Sequence, residues 1–175
     1  ALEEMRRIKE LGLYGIKLHP DYQEFFIGDD AALPIYAEAE KLGLPIAFHT
    51  GRDPYSPSLV HCPPDVLAKI AYLFPNLTII AAHMGGMDMP EAAAQYLAGK
   101  SNVYFDTAFA SHFLTPGQLE ELIRLHGVDR VLFATDCPWS TFPEEKALLE
   151  ATGLKPAEKE QIACRNAESL FGISV

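Results

Sequence analysis

Residues 77–83, LTIIAAH, form an apolar run that ends in one polar side chain, and the recurrence of this pattern decides the fold. Similar stretches are GIKLH at 15–19, LPIAFH at 44–49, VYFDT at 103–107 and RVLFATD at 130–136. All except GIKLH are nearly unbroken in apolar residues, which is typical of strands buried on both faces of a parallel sheet. The sequence therefore predicts five parallel β-strands.

Helical segments alternate with these strands. Apolar residues at helical spacing, prolines in the first turn and glycines after the last turn mark their limits. The predicted helices cover residues 2–11, 29–42, 63–74, 89–98, 116–126, 143–151 and 156–171. This alternation indicates right-handed βαβ units, which build both open doubly wound sheets and (β/α)₈ barrels.

Polar residues at the strand ends favour the barrel. Barrel enzymes take catalytic residues from the carboxyl ends of several strands, whereas many doubly wound folds carry glycine-rich phosphate loops, which this sequence lacks. The strand-end residues are His19, His49, His83, Asp106 and Asp136, separated by 30, 34, 23 and 30 positions. A barrel of about 250 residues has a similar repeat, about 31 residues per unit.

The whole chain, residues 1–175, is therefore predicted to form a single α/β domain of the TIM-barrel (β/α)₈ type. The domain is expected to be incomplete, because five units are visible and eight units of this length need roughly 235 residues. On this interpretation three N-terminal units are absent from the chain.

Composition limits the possible partners. The chain is 49% hydrophobic and 22% charged, as in globular proteins. Its net charge of −10 argues against nucleic-acid and membrane partners, and no apolar run approaches the roughly 20 residues of a membrane span. Three scattered cysteines without a CxxC pair predict a reducing, cytoplasmic location.

Two strand-end residues suggest a metal site. His49 precedes Thr50 and Gly51, and Asp136 ends the last predicted strand. Neutral imidazole and carboxylate are ordinary ligands of divalent ions, with zinc the first choice here and manganese an alternative. Such an ion makes bound water nucleophilic near neutral pH. His83 lies on the intervening strand, where an imidazole can carry a proton.

Several stretches resemble the amidohydrolase superfamily, and within it the amidohydrolase-2, or amidohydrolase-related, group. They are GIKLHP at 15–20, PIAFHTG at 45–51, IIAAHMGG at 79–86, NVYFDTA at 102–108, RVLFATDCPW at 130–139 and IACRNAESLFG at 162–172. The group includes aminocarboxymuconate-semialdehyde decarboxylase and related hydrolases. The resemblance extends over essentially the whole chain and implies a (β/α)₈ barrel.

The resemblance also implies roles for individual residues. His49 matches a metal ligand, and His83 matches a histidine that acts as acid and base or binds a second metal ion. Asp136 matches an aspartate that binds metal and can take a proton from the attacking water. The HxH pair that supplies two further ligands in the family is missing, since no HxH occurs in this sequence. The resemblance implies that this pair lies in the three units expected to be absent.

These features predict a metal-dependent hydrolase of the amidohydrolase-2 group. The expected substrate is a small organic molecule that carries a carboxylate, attacked by metal-activated water. One alternative is a non-oxidative decarboxylase of the same group, with His83 as acid and base. Another is a catalytically inactive fragment that lacks the HxH ligands.

Four further residues are candidates for substrate binding. Arg52 directly follows the HTG stretch, and its guanidinium suits a carboxylate. His19 ends the first strand, His112 follows the fourth, and Trp139 follows Asp136 as a possible cavity wall. Lys17 lies two positions before His19, hence on the same face of the strand. An ion pair, a substrate contact and a metal-bridging role all remain open for Lys17.

An open set of five strands predicts self-association. The first and last strands would offer unpaired edges, and barrel-facing side chains such as Ile16, Ile79 and Leu132 would lack an opposite wall. Exposing several such side chains would offset much of a typical stability of about 5–15 kcal/mol. We therefore expect a homo-oligomer.

Overall fold

Five parallel strands form one sheet in the order in which they occur along the chain. The computed structural model describes residues 1–54, 56 and 58–173. The strands are β1 (Ile16–Leu18), β2 (Ile46–Phe48), β3 (Ile79–Ala81), β4 (Val103–Asp106) and β5 (Val131–Leu132). Because the order never reverses, the sheet has no switch point of the doubly wound kind and instead forms part of a TIM-barrel wall, as the sequence predicts.

Helices follow the strands and cover one face of the sheet. They are α1 (Leu2–Glu10), α2 (Pro20–Gln23), α3 (Leu33–Leu42), α4 (Pro64–Leu73), α5 (Pro90–Tyr96), α6 (Pro116–His126), α7 (Phe142–Glu150), α8 (Pro156–Glu160) and α9 (Asn166–Phe171). A π-helical segment, Gln161–Arg165, joins α8 to α9, and short 3₁₀ segments occupy Ala110–His112 and Val128–Arg130.

Two helical details differ from the sequence prediction. Helix α3 begins at Leu33 and not near residue 29, because the Asp29 carboxylate accepts a hydrogen bond from the Phe26 N–H and closes a separate turn. The short helix α2 was not predicted, and it begins at Pro20 directly after His19. This helix turns the chain sharply at the carboxyl end of β1.

Alternate residues of the strands lie on opposite faces of the sheet. One row pairs Ile16, Ile46, Ile79 and Val103, and its members belong to the hydrophobic core shared with the helices or pack against it. The adjacent row pairs Lys17, Ala47, Ile80 and Tyr104, none of which belongs to that core. The second row therefore lies on the face that corresponds to the inside of a barrel.

The prediction that Ile16 and Ile79 face the barrel interior is wrong. Both lie on the helix-covered row, and Ile79 is fully buried there. Leu132 pairs with Asp106 in the row beyond Val131 and is only 7% exposed. The open sheet thus leaves fewer apolar side chains uncovered than expected. In the described part of the chain β1 and β5 pair on one side only, and self-association stays a prediction.

Two general properties bear on the composition argument. Across the described residues, none of the helices has both the length and the apolar character needed to cross a bilayer. All three cysteines are free thiols, and Cys62 is fully buried.

His126 ties the carboxyl end of α6 to the sheet. Its ring is 1% exposed and stacks on Phe105 with ring centroids 3.8 Å apart. Nε2 donates to the Val103 carbonyl at 3.0 Å, and Nδ1 accepts from the Gly99 N–H at 3.3 Å. These contacts require a neutral ring. Burial, assisted by the Arg130 charge, lowers the pKa of His126 to about 4.

This burial predicts a loss of stability in mild acid. An unfolded histidine has a pKa near 6.5, so below that pH His126 is protonated in the unfolded chain but stays neutral in the folded protein. The contribution of His126 to the free energy of unfolding is fully present above pH 6.5. It decreases by about 3 kcal/mol as the pH falls to 4. Urea unfolding between pH 4.5 and 7 measures the slope. His126→Gln should reduce it by about 1.4 kcal/mol per pH unit, and an equal slope in both proteins would contradict the assignment. The exposed His112, replaced by Gln, is the control.

Candidate metal centre

Three side chains converge at the carboxyl edge of β1 and β2. His19, His49 and Asp53 each offer a ligand atom, and these atoms lie within 4.8 Å of one another. The Asp53 Oδ2 is 3.4 Å from His19 Nε2 and 3.7 Å from His49 Nε2. Two ligands that are each about 2.1 Å from a tetrahedral ion are about 3.4 Å apart, so these separations suit one divalent ion.

The hydrogen bonds around His83 fix the tautomer of His49. His83 Nδ1 must donate to the Ala108 carbonyl, 2.9 Å away, because a carbonyl can only accept. The neutral His83 ring then carries a lone pair on Nε2, which accepts from His49 Nδ1 at 2.9 Å. The remaining nitrogen, His49 Nε2, is therefore unprotonated, and its lone pair lies on the side of Asp53.

Burial keeps His49 neutral. Its side chain is 4% exposed, and Nε2 has no hydrogen-bond partner among the described residues. Desolvation, with further contributions from His83, His19 and Lys17, lowers the pKa of His49 to about 2. A buried polar atom without a partner is costly, and a lone pair in that position suits a metal ion. The residues present therefore fit a divalent ion.

The His19 ring is held from both sides. It stacks on His49 with ring centroids 4.2 Å apart and on Tyr22 of α2 at 4.0 Å. The backbone N–H of His19 donates to the Gln23 side chain at 2.7 Å. Burial lowers the pKa of His19 as well, with Asp53 acting in the opposite direction. Helix α2, which the sequence did not predict, thus presses His19 into the site.

Both predicted catalytic residues lie in left-handed backbone conformations. His83 has φ +59° and Asp136 has φ +61°, which are uncommon values for residues other than glycine. Asp106 supports the first of these turns, because its Oδ1 accepts from the backbone N–H of His83 at 2.9 Å and of Ala108 at 3.1 Å. Asp106 is thus a supporting acceptor for the His83 loop.

The loops after β2 and β3 approach too closely for any side chain at Gly51. The Thr50 carbonyl accepts from Met87 N–H at 2.8 Å, and Arg52 N–H donates to the Met87 carbonyl at 3.0 Å. Gly51 has φ +93°, and a Cβ there would lie 2.3 Å from the Met87 nitrogen. This contact fixes the path of the loop and brings Asp53 back beneath His49.

A cavity of about 200 Å³ opens above the three ligands. The predicted residues that line it are His19, His49, His83, Asp136 and Trp139. Lys17, Tyr22, Asp53 and Phe109 also contribute to its wall. Asp136 thus shares the cavity but lies outside the group formed by His19, His49 and Asp53.

Two predicted substrate contacts lie away from this cavity. Arg52 is exposed and is not among the lining residues, and its backbone pairs with Met87. His112 is exposed and stacks on Phe109 at 4.1 Å, so it reaches the cavity only through that ring. Their roles in substrate binding stay predictions.

Sequence reasoning missed Asp53 as a ligand. Asp53 lies in a loop with no periodic pattern, so no strand end or helix face singles it out. The one available signal was its position four residues after His49 in the stretch HTGRD. Asp53 is 4% exposed, which is rare for a carboxylate without a charged or metal partner.

The fold and the site together define a class. The chain forms a wall of parallel βα units, and imidazole and carboxylate side chains lie at the carboxyl edge of that wall. This arrangement is typical of α/β-barrel proteins, here with a candidate metal centre. The family can be stated more closely. The model of the Amidohydrolase family matches residues 1–173, and the chain belongs to that family.

Solved structures share this fold. 2,6-Dihydroxybenzoate decarboxylase in complex with 2,6-dihydroxybenzoate is 21% identical, with a TM-score of 0.76 over 98% of this chain and 66% of its own. Dihydroxybenzoic acid decarboxylase from Polaromonas sp. JS666, with bound manganese and 2-nitroresorcinol, is 20% identical (TM-score 0.73, 98% and 65%). A TIM-barrel protein from Bordetella bronchiseptica is 24% identical (TM-score 0.78, 98% and 62%). The chain therefore spans slightly less than two-thirds of each of these proteins.

Proposed function

We propose that this chain carries the catalytic edge of a divalent-metal enzyme that cleaves a small carboxylate-bearing substrate. The observation that carries the proposal is the buried His49 Nε2, which has no hydrogen-bond partner among the described residues and lies 3.7 Å from Asp53 Oδ2 at the floor of a cavity. Family membership supports metal-dependent chemistry. The manganese bound by the Polaromonas relative supports that ion alongside zinc.

The chain's own residues would hold and orient the metal. His49 Nε2, His19 Nε2 and Asp53 Oδ2 are the donors that already converge, and Asp136 lines the same cavity. When bound, the ion supplies Lewis-acid polarisation and a lowered pKa for water. His83 orients His49 by accepting its Nδ1 proton. A hydrogen bond of this kind to a metal-binding histidine commonly changes metal affinity by 10- to 100-fold.

Two reactions fit the site. In hydrolysis, water adds across a C–O or C–N bond, and a carboxylate or imidazole accepts the proton. In decarboxylation, the bond from carbon to the carboxylate breaks, CO₂ leaves, and a proton replaces it on that carbon. Asp136 and His83 both line the cavity, and Asp136 is the proton carrier we propose for either reaction. His83 would take up a proton only after its Nε2 releases the hydrogen bond from His49 Nδ1.

Decarboxylation is the reaction we propose first, because the cavity walls suit an aromatic acid. Tyr22, Phe109 and Trp139 contribute three aromatic rings to the lining. Two of the solved relatives are decarboxylases of dihydroxybenzoic acids. Hydrolysis remains the second candidate, supported by the family name and by the water-activating chemistry of the donor set.

Product analysis on the purified protein tests the proposal. After chelation and reloading with Mn²⁺ or Zn²⁺, 2,6-dihydroxybenzoate should yield CO₂ and resorcinol in equal amounts, in a metal-dependent reaction. Turnover of lactones or amides without CO₂ would select hydrolysis. A protein that retains no metal after dialysis and converts neither class of substrate would overturn the proposed function.

A further inference from the structure

Lys17 places a positive charge in the wall of the cavity. It is the only lysine or arginine among the described residues that line this space. It projects from β1 in the row that faces away from the helices, two positions before His19. Its backbone belongs to the sheet, whereas Arg52 lies in the loop after β2 and is not among the residues that line the cavity.

The Lys17 ammonium is available to a ligand. Throughout the described part of the chain no hydrogen bond or ion pair joins Lys17 to another side chain. The nearby carboxylate of Asp53 is instead turned toward the two histidines, at 3.4 Å and 3.7 Å. Lys17 is exposed, and an exposed cation in the wall of a cavity is suited to an anionic group of a bound molecule.

Lys17 lies in otherwise negatively charged surroundings. The protein carries a net charge of −10, which would repel an anionic substrate on approach. Asp53 and Asp136 add negative charge inside the cavity itself.

Size and wall chemistry define the rest of the ligand. The cavity measures about 200 Å³, and a protein cavity of about 150 Å³ accommodates benzene. The aromatic side chains of Tyr22, Phe109 and Trp139 offer faces or edges to a planar ring. The space therefore suits a single aromatic ring with one anionic substituent.

We propose that Lys17 is the residue that selects an anionic aromatic ligand, by pairing its ammonium with the carboxylate. This inference deepens the proposed function and shares its cavity. It assigns to Lys17 the specificity role that sequence reasoning gave to Arg52. Lys17 acts on binding, and the proton transfer remains with Asp136.

Binding of benzoate and its uncharged analogue benzamide, measured by calorimetry with and without Mn²⁺, tests this role. Lys17→Met should weaken benzoate binding by about tenfold, since a charge-assisted hydrogen bond is lost at a partly solvated site. Benzamide binding should change by less than twofold. Lys17→Arg should recover most of the benzoate affinity. The control is Lys69→Met on α4, which removes the same charge from an exposed position and should leave both affinities unchanged.

The outcomes separate this inference from the proposed function. Equal losses for benzoate and benzamide, or no loss for either, would overturn the role of Lys17 while leaving metal binding and turnover intact. Benzoate binding that needs Lys17 in a protein that retains no metal would support the anion site and overturn the catalytic proposal. A wild-type protein that binds neither benzoate nor metal would overturn both.

Discussion

Replacing His49 with alanine is expected to remove the divalent ion and reduce turnover below detection. His49 is the central residue of the group, because its ring stacks on His19, donates to His83 and directs a lone pair beside Asp53. No other described side chain can supply that nitrogen. The structure should tolerate the change, although a buried imidazole leaves a cavity that costs about 2–4 kcal/mol.

The measurement is the metal content after dialysis. Mass spectrometry of the folded protein and of the same protein after unfolding gives the mass of the bound ion as the difference. His49→Gln serves as the variant of similar volume, and it should also lose the ion. Asp53→Asn should weaken metal binding strongly, because it removes the anionic ligand while preserving shape. Full metal occupancy in His49→Gln would contradict the site. Where the ion is lost, circular dichroism shows whether the variant is still folded.

Asp136→Ala separates two ligand assignments. The family resemblance makes Asp136 a ligand, whereas the structure brings His19, His49 and Asp53 together without it. If the structural group holds the ion, the Asp136 variant keeps most of its metal and loses turnover. Loss of the metal would assign Asp136 to the coordination sphere. Retention of full activity would contradict both roles of this residue.

The strand-end residues of the site could be predicted from the sequence because parallel strands all end at one edge. His19, His49 and His83 each follow a short apolar run, and the fold delivers them to one cavity. The face of each strand was harder to predict. A strand of three residues shows little periodicity, and a shift by one position reverses every side chain, which explains the error at Ile16 and Ile79.

The loop residues of the site could not be predicted in this way. Asp53 reaches His49 because the chain passes Met87 with Gly51 at φ +93°, a long-range contact that no local pattern encodes. Helix α2 and the stacking of Tyr22 on His19 also depend on tertiary packing. Sequence patterns therefore defined the edge of the site, whereas loop packing selected which side chains meet there.

Glu145 connects the two loops that form the far wall of the cavity. Its carboxylate is 1% exposed, and it accepts from the hydroxyls of Ser111 and Ser140, both at 2.6 Å. It also accepts from the Ser111 backbone N–H at 3.1 Å. Ser111 lies two residues after Phe109, and Ser140 directly follows Trp139. Glu145 thus fixes two aromatic walls relative to each other without touching the cavity.

Glu145→Gln is expected to lower both stability and turnover. An amide keeps the shape but replaces one acceptor oxygen with a donor. With the amide nitrogen in the Oε2 position the Ser111 N–H loses its acceptor, and with the nitrogen in the Oε1 position the two serine hydroxyls lose theirs. Leaving a buried polar group unpaired costs about 1–3 kcal/mol, and a melting temperature of a chain this size falls by about 2–4 °C for each kcal/mol. Small displacements of positioning residues can reduce turnover by about 100-fold. We expect kcat/KM to fall by 10- to 100-fold.

The neighbouring Glu144 provides the matched control. It caps α7 by accepting from the Thr141 N–H and hydroxyl at the surface, and glutamine also serves at this position of a capping box, so Glu144→Gln should lower stability less than Glu145→Gln and leave kcat/KM unchanged. Melting curves and kinetics on both variants, assayed well below their melting temperatures, separate lost stability from lost positioning. If Glu145→Gln lowers stability but matches Glu144→Gln in kcat/KM, Glu145 only stabilises the loops. A fall in kcat/KM confined to Glu145→Gln, with metal content unchanged, would establish that the spacing of the Phe109 and Trp139 loops controls catalysis.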